Sequence, residues 1–114
     1  MTASTESVAG RPVSFARVAT TRAGRYGKQL TAHLGHRLTT HWNDTDNIGW
    51  IQLGEARAHL IADDDALHIR IHAPGDLDRL EDVVGRHLVR FGTKDELVVS
   101  WARDDGNPGT TQRT

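Results

Sequence analysis

Between residues 48 and 73 the apolar side chains fall at every second position, which is the period of a half-buried β-strand. Two pairs of turn-forming residues, Gly54-Glu55 and Asp64-Asp65, interrupt this alternation. If both pairs form two-residue hairpin turns, the alternation stays in phase and one sheet face is apolar throughout. A slip of one residue would turn that face to solvent. The segment is therefore predicted to be an antiparallel meander with a well-specified register.

The predicted register divides the meander side chains between two unlike faces. The inner face is apolar and consists of Ile51, Leu53, Ala56, Ala58, Leu60, Ala62, Leu67, Ile69 and Ile71. The outer face is mixed and consists of Trp50, Gln52, Arg57, His59, Ile61, His68, Arg70 and His72. A sheet with one apolar face must bury it against another layer, so helices are expected on the inner side.

Helical periodicity occurs on both sides of the meander. Before it, Tyr26, Leu30 and Leu34 recur at helical spacing. After it, an apolar stripe of a second helix is formed by Leu77, Leu80, Val84, Leu88 and Phe91. A further short strand is predicted at about Thr39–Asn43, joined to the meander by the turn at 43–47, and short alternating segments add a first and a last strand. The predicted fold is α+β, a two-layer sandwich in the order β-α-β-β-β-β-α-β, with a mostly antiparallel sheet and both helices on one face, in a ferredoxin-like or TATA-box-binding-protein-like arrangement.

The two ends of the chain lack the apolar periodicity of the middle. Residues 1–11 are rich in Ser, Thr, Ala and Gly, and residues 104–114 read DDGNPGTTQRT. Segments with so little apolar surface do not offset the entropy lost on ordering. We predict disordered tails over 1–11 and 104–114, and a single domain over 12–103.

Composition excludes several classes of function. The chain has no cysteine, which excludes disulfides, thiolate metal sites and cysteine nucleophiles. Its net charge is −1 with 25% charged residues, so it lacks the basic excess typical of nucleic-acid binding. No apolar run approaches the ~20 residues that span a bilayer, and no signal-peptide pattern opens the chain. We expect no nucleic acid partner, no membrane segment and a cytoplasmic location.

No catalytic signature occurs in the sequence. The chain has no phosphate-binding glycine loop, no Gly-x-Ser-x-Gly and no His-Glu-x-x-His. Glu81 and Asp82 near His87 could form an acid–base set, but acidic residues on an amphipathic helix are more often solvated charge. An enzyme in its own right is therefore the third of the function classes, after a binding module and an interaction domain.

Three of the seven histidines form a candidate metal site. His33 and His36 would share a helical face if the first helix continues past Gly35, although Gly35 could instead end it as a left-handed C-cap. His87 lies close to the stripe of the second helix. Three neutral imidazoles could bind Zn²⁺ or Fe²⁺. The alternative is that these are inter-helix histidines hydrogen-bonded to carbonyl or carboxylate oxygens.

The mixed outer face is a second candidate site. Trp50 opposite His59, with Arg70 alongside, makes an amphipathic platform suited to a flat ligand or a second subunit. Arg57 and His72 complete this ligand or partner face. The alternative is a solvated sheet face that carries an ordinary aromatic residue.

Three stretches of sequence carry a family resemblance. They are ARVAT at 16–20 with RY at 25–26, KQL at 28–30, His33 and HR at 36–37; ADDDAL at 62–67; and LEDVV at 80–84 with HL at 87–88, RF at 90–91, EL at 96–97 and Trp101. In this combination the chain resembles a bacterial family known as domain of unknown function 2218. The family pattern includes the positions of His33, His36 and His87, and the chain departs from it at Gly35, where a helix former is typical.

Members of this family look associated with flavin reductases that release iron from ferric siderophores. The resemblance therefore implies a biological process and not a particular reaction. One expected function is a binding module linked to iron or siderophore handling through a histidine-based metal or cofactor site. The other is a structural or interaction domain without a ligand of its own. Such a domain would form a homodimer, or dock a flavin-dependent siderophore reductase, through its open sheet face.

Overall fold

The structure, a computed structural model, describes residues 13–114. These residues form seven strands and two α-helices, in the order β1 (Val13–Ala19), α1 (Ala23–Leu34), β2 (Thr40–Asn43), β3 (Ile48–Leu53), β4 (Ala56–Ala62), β5 (Ala66–His72), α2 (Leu77–Phe91), β6 (Val99–Arg103) and β7 (Pro108–Gln112). A short 3₁₀ helix, Thr93–Asp95, connects α2 to β6. The predicted α+β class and the predicted order of elements are confirmed, and β7 is added to them.

The strands form one antiparallel sheet in the spatial order β2-β3-β4-β5-β1-β6-β7. Strand β1 is inserted between β5 and β6, so the meander and the C-terminal hairpin lie on opposite sides of it. Both helices pack on one face of the sheet. The result is the predicted two-layer sandwich.

The predicted register of the meander is confirmed at both turns. Leu53 pairs with Ala56, which leaves Gly54-Glu55 as a two-residue turn with Gly54 at φ 63°. This left-handed conformation favours glycine, because it has no Cβ to clash with the backbone. Ala62 pairs with Leu67, and the amide of Asp63 donates to the carbonyl of Ala66 at 3.0 Å. The nine inner-face residues therefore fall on the helix side of the sheet.

The core lies between this inner face and the helices. Its largest fully buried side chains are Leu30, Ile51, Leu60, Leu67, Ile69, Ile71, Leu88, Glu81, Val18, Val84, Val99 and Ser14. Helix α1 approaches the sheet closely at Gly27, where a Cβ would lie 2.5 Å from the ring of Trp42. Glycine here lets the indole of Trp42 pack under the helix against the core.

The C-terminal segment corrects the sequence prediction. Residues 104–114 were expected to be disordered, but Pro108–Gln112 form β7 against β6. The indole Nε1 of Trp101 donates to Oε1 of Gln112 at 2.7 Å, and this glutamine side chain is buried. The ordered domain thus extends beyond residue 103. The predicted N-terminal tail, 1–11, lies outside the described residues.

Candidate functional site

The outer face of the sheet, opposite the helices, is called the open face here. Strand pairing arranges its side chains in three rows across the strands. The central row is His41, Trp50, His59, Arg70 and Phe15, and the flanking rows are Asn43, Ile48, Ile61, His68 and Arg17 on one side and Gln52, Arg57, His72 and Val13 on the other. All five residues predicted for the ligand or partner face lie in these rows. Among the described elements, no helix covers the open face.

Two arginines of the open face stack on aromatic rings. The guanidinium carbon of Arg57 lies 4.2 Å from the ring centroid of Trp50, and that of Arg70 lies 4.8 Å from the centroid of Phe15. Nε of Arg57 also donates to Oε1 of Gln52 at 2.8 Å. A stacked guanidinium keeps its N–H groups in its own plane, where they can bind a carboxylate or phosphate. The rings therefore position two cationic forks over the sheet.

The histidines of the open face form close pairs. The rings of His59 and His72 are edge to face with centroids 5.6 Å apart, and His41 lies 6.2 Å from Trp50. Partial desolvation lowers the pKa of His59, and the positive charges of His72, Arg57 and Arg70 lower it further. His59 is thus neutral at physiological pH, so it can both donate and accept a hydrogen bond.

The open face carries a one-sided charge. Its rows contain three arginines, Arg17, Arg57 and Arg70, and no aspartate or glutamate. Acidic residues occur only in the adjoining turns. Of these, Asp63 has a carboxylate oxygen 2.8 Å from Nε2 of His68. The pKa of Asp63 is lowered to about 2, first by the backbone amide of Asp65 and then by the hydrogen bond with His68.

Two adjoining depressions occupy the open face. The larger encloses about 560 Å³ and is lined by Phe15, Ala16, Arg17, His59, Ile61, His68, Ile69, Arg70 and His72. The second encloses about 310 Å³, lies around Trp50 and Ile48, and shares His59 and Ile61 with the first. Ile61 is 53% exposed and Ile48 is 41% exposed, which is unusual for large aliphatic side chains. The depressions have the size of small-molecule sites.

Sequence reasoning missed Phe15 and Arg17 as members of this site. Both lie on β1, which is distant in sequence from the meander and pairs with β5. The partial alternation of Val13, Phe15, Ala16 and Val18 predicted a strand but not its neighbour. Pairing between strands this far apart leaves no local signal in the sequence.

The structure brings two of the three candidate metal ligands together. The ring centroids of His33 on α1 and His87 on α2 are 5.3 Å apart. Helix α1 ends at Leu34, and Gly35 has φ −64°, so the alternative of a left-handed C-cap at Gly35 is wrong. His36 lies beyond the helix end, with its ring centroid 6.4 Å from that of His33. Among residues 13–114, no three His, Cys, Asp or Glu side chains are arranged to hold a metal ion.

His87 has the hydrogen bond expected of an inter-helix histidine. Its Nδ1 lies 2.7 Å from the carbonyl oxygen of Val83, and because a carbonyl oxygen only accepts, Nδ1 must carry the proton. The ring of His33 meets Phe91 edge to face with centroids 5.2 Å apart. These contacts fit the alternative in which the histidines pack between the helices.

Glu81 is not the solvated acid that the sequence suggested. Its side chain is 0% exposed, and its carboxylate accepts hydrogen bonds from Ser14, Arg103 and Thr110. Burial alone raises the pKa of Glu81, but these donors outweigh it and hold the pKa below its ordinary value. Glu81 therefore connects α2 to β1, β6 and β7, and its acceptor sites are not available to a substrate.

These features define the class of the molecule: a small two-layer α+β domain with an open, cationic sheet face. The chain belongs to a bacterial family described as "Uncharacterized protein conserved in bacteria (DUF2218)", whose model matches residues 15–102. The family resemblance seen in the sequence is thereby confirmed. The match ends before β7, which covers Pro108–Gln112.

The chain is also similar to a solved structure, the NMR structure of PA4090 from Pseudomonas aeruginosa. The two are 30% identical with a TM-score of 0.58, over 80% of this chain and 93% of that one. No curated protein matches the chain. Neither match names iron, a siderophore or a reductase. In the described part of the chain, neither helix has the length and apolar character needed to cross a membrane.

Proposed function

We propose that this domain is a binding module whose open face binds a small anion with a planar ring system. The observation that carries the proposal is the central row, in which Trp50, His59, Arg70 and Phe15 lie side by side across four strands. The row combines rings, a guanidinium fork and a neutral imidazole within one shallow site. Such a set supports recognition of charge and of flat shape together.

The sign of the ligand's charge follows from the charged residues of the face. Three arginines share it, and Asp63, an acidic residue of the turn beside the larger depression, already contacts His68 at 2.8 Å. A cation would meet three like charges, whereas an anion gains a charge-assisted hydrogen bond from any of them. Such bonds contribute about 1.5–3 kcal/mol each. An anionic group is the favoured occupant beside Arg70.

The planar part of the ligand follows from the apolar residues of the face. Phe15 and Ile61 line the larger depression, and Trp50 lines the smaller one beside it. The larger volume, about 560 Å³, suits a molecule of two or three fused rings better than an extended polymer. Burying exposed Ile61 under a ring would add hydrophobic stabilisation of about 25 cal/mol per Å².

A second use of the face is a two-fold dimer, which the exposed pair Ile48 and Ile61 favours. These residues are direct cross-strand neighbours and form a small apolar patch. A two-fold copy would, however, place three arginines opposite three arginines without a carboxylate to neutralise them. Like charges across an interface oppose association. We therefore rank the dimer below the anionic ligand.

A role in iron handling is one specific version of this proposal, in which the ligand is a ferric siderophore. A ferric siderophore with catecholate groups is an anionic chelate with planar rings, so it belongs to the proposed ligand class. The flavin-dependent reductase would then be the partner that receives the chelate, and the cytoplasm would be the location of both. Charge complementarity with Arg17, Arg57 and Arg70 supports this form. Coordination of bare Zn²⁺ or Fe²⁺ by the histidines is not part of it.

Arg70 is expected to bind the carboxylate of a simple aromatic probe. Naphthalene-2-carboxylate, titrated into the ¹⁵N-labelled domain at pH 7.5, is expected to shift the amides of β1, β4 and β5 and to saturate. Arg70→Ala should weaken the Kd by about 10- to 100-fold, since it removes a charge-assisted hydrogen bond of about 1.5–3 kcal/mol. The neutral naphthalene-2-carboxamide should bind wild type as weakly as the acid binds the variant.

The matched control is Arg90→Ala, which removes an exposed arginine of α2 on the other side of the molecule. It should leave the Kd unchanged. Equal affinities for the acid and the amide, or shifts confined to the helices, would contradict the proposal. Sedimentation of the same samples tests the dimer. If wild type sediments as a dimer and Ile61→Asp as a monomer, with no naphthoate binding, the open face is a self-association surface.

A further inference from the structure

A second cationic site lies between the helices, away from the open face. The groove where the C-terminal end of α1 meets α2 encloses about 650 Å³ and is called the inter-helix groove here. It is lined by His33, Leu34, His36, Arg37, Leu38, Arg79, Val83 and His87. It contains the histidines that the sequence singled out and the open face does not use. Its two arginines were not part of that expectation.

The charges that line the groove decide between a metal ion and an anion. Arg37 and Arg79 carry two permanent positive charges, and none of the described residues that line the groove is an aspartate or glutamate. The carboxylate of Asp76 lies 4.0 Å from Nη1 of Arg79, and both side chains are more than three-quarters exposed, so solvent screens the pair. A divalent cation bound to two imidazoles would be repelled by both guanidiniums.

The same residues suit a tetrahedral oxyanion. Guanidinium groups bind phosphate oxygens through paired N–H donors, and two guanidiniums approaching from different elements can share one anion. His33 and His87, with ring centroids 5.3 Å apart, add two imidazole rings to the lining of the groove. In His87 the bond from Nδ1 to Val83 leaves Nε2 as the nitrogen available to a ligand. Neutral imidazole nitrogen can accept a hydrogen bond from the hydroxyl of hydrogen phosphate.

We propose that the inter-helix groove is a binding site for phosphate, held by Arg37 and Arg79 with His33 and His87 as hydrogen-bonding partners. The site is independent of the open face, because the two share no lining residue. A phosphate site also gives the two imidazoles a role that needs no third metal ligand. The described residues provide no such ligand.

The test is a titration of inorganic phosphate into the ¹⁵N-labelled domain at pH 7.5, with sodium chloride adjusted to constant ionic strength. Saturable shifts are expected at the end of α1, at residues 36–38 and in the first half of α2. Arg37→Ala and Arg79→Ala should each weaken the Kd about tenfold, the effect of losing one charge-assisted hydrogen bond. His87→Ala should weaken it about threefold. Arg22→Ala, which removes an exposed arginine just before α1 begins and far from the groove at its other end, is the control and should bind phosphate as wild type does.

A parallel titration with Zn²⁺ in a buffer without phosphate separates the two chemistries. Wild type should show no saturable Zn²⁺ binding, and phosphate should raise the Tm by mass action in wild type but not in Arg37→Ala. Saturable Zn²⁺ binding that His33→Ala and His87→Ala abolish, without phosphate binding, would overturn the proposal in favour of a metal site. Linear, non-saturating phosphate shifts would overturn it as surface screening. Neither result affects the naphthoate test, which reads β1, β4 and β5.

Discussion

A chain truncated after Asp105 is expected to unfold at a much lower temperature than the full chain, because the truncation removes β7. The buried carboxylate of Glu81 would lose both hydrogen bonds from Thr110, and Nε1 of Trp101 would lose its acceptor on Gln112. Bonds to a charged group contribute about 1.5–3 kcal/mol each and neutral ones about 1 kcal/mol. Water that enters after truncation replaces part of these hydrogen bonds. We therefore expect the free energy of unfolding to fall by about 3–4 kcal/mol, from a total of roughly 5–15 kcal/mol.

The control is deletion of Arg113 and Thr114 alone, which are exposed and follow β7. Thermal and urea unfolding of the three chains measure the effect, and the short deletion should be neutral. The truncated chain should also show a red shift of indole emission, since Trp101 is buried against Gln112 in the full chain. An unchanged midpoint after truncation would mean that β7 does not stabilise the domain.

The meander could be predicted from the sequence because its information is local. Alternating apolar residues and two short turns fix which residues face the helices, and the pairs Leu53 with Ala56 and Ala62 with Leu67 confirm this register. The amphipathic periods of α1 and α2 predicted the second layer in the same way. Where one physical effect, burial of an apolar face, dominates a segment, the sequence is sufficient to describe it.

Strand β7 could not be predicted because apolar burial does not specify it. Its sequence, PGTTQ, has no apolar periodicity and two residues that are poor strand formers. What holds it is a set of individual contacts, including a close approach at Gly109, where a Cβ would lie 2.6 Å from Cβ of Trp101. Some of these contacts join residues that are distant in sequence, as in the pair of Glu81 and Thr110, which are 29 positions apart. They leave no period in the sequence.

The candidate site was predictable to the same extent as the sheet that carries it. Trp50, His59 and Arg70 were grouped correctly because the meander register places them side by side. Phe15 was missed because its neighbour, Arg70, lies on a strand 55 positions later in a pairing that only the tertiary fold sets. For the histidines, spacing placed His33 near His87 but gave no indication of Arg37 and Arg79. Those two arginines are the reason that the ligand proposed for the groove is an anion and not a metal ion.

Replacement of Arg103 by alanine is expected to be the most destabilising of the single substitutions proposed for this domain. Arg103 donates to both oxygens of Glu81, at 3.0 and 3.1 Å, and also contacts Asp78. The alanine variant leaves a fully buried carboxylate without its counter-charge, which in other proteins costs about 3–5 kcal/mol. Because Ser14 and Thr110 still donate to Glu81, we expect about 3 kcal/mol, measured by urea unfolding at pH 7.

The matched control is Arg86→Ala, which also breaks an arginine–carboxylate pair, at 2.8 Å, but one whose side chains are 64% and 45% exposed. The Arg86→Ala variant should have nearly the same midpoint of urea unfolding as wild type. The double variant Glu81→Gln with Arg103→Met removes both charges and should be more stable than Arg103→Ala alone. If it is equally unstable, the packing of the Arg103 side chain, and not the buried charge, explains the loss.

The pH dependence supplies an independent check on Glu81. In wild type its pKa is held below the ordinary value, so its contribution to stability is present above the unfolded pKa of about 4.3 and is lost as the pH falls through the folded pKa. Without Arg103 the effect of burial is less opposed, and protonation relieves the buried charge. The stability difference between wild type and Arg103→Ala should therefore narrow as the pH falls through the folded pKa values of Glu81 in the two proteins. A difference that stays constant from pH 7 to pH 3 would show that the charge of Glu81 is not what Arg103 stabilises.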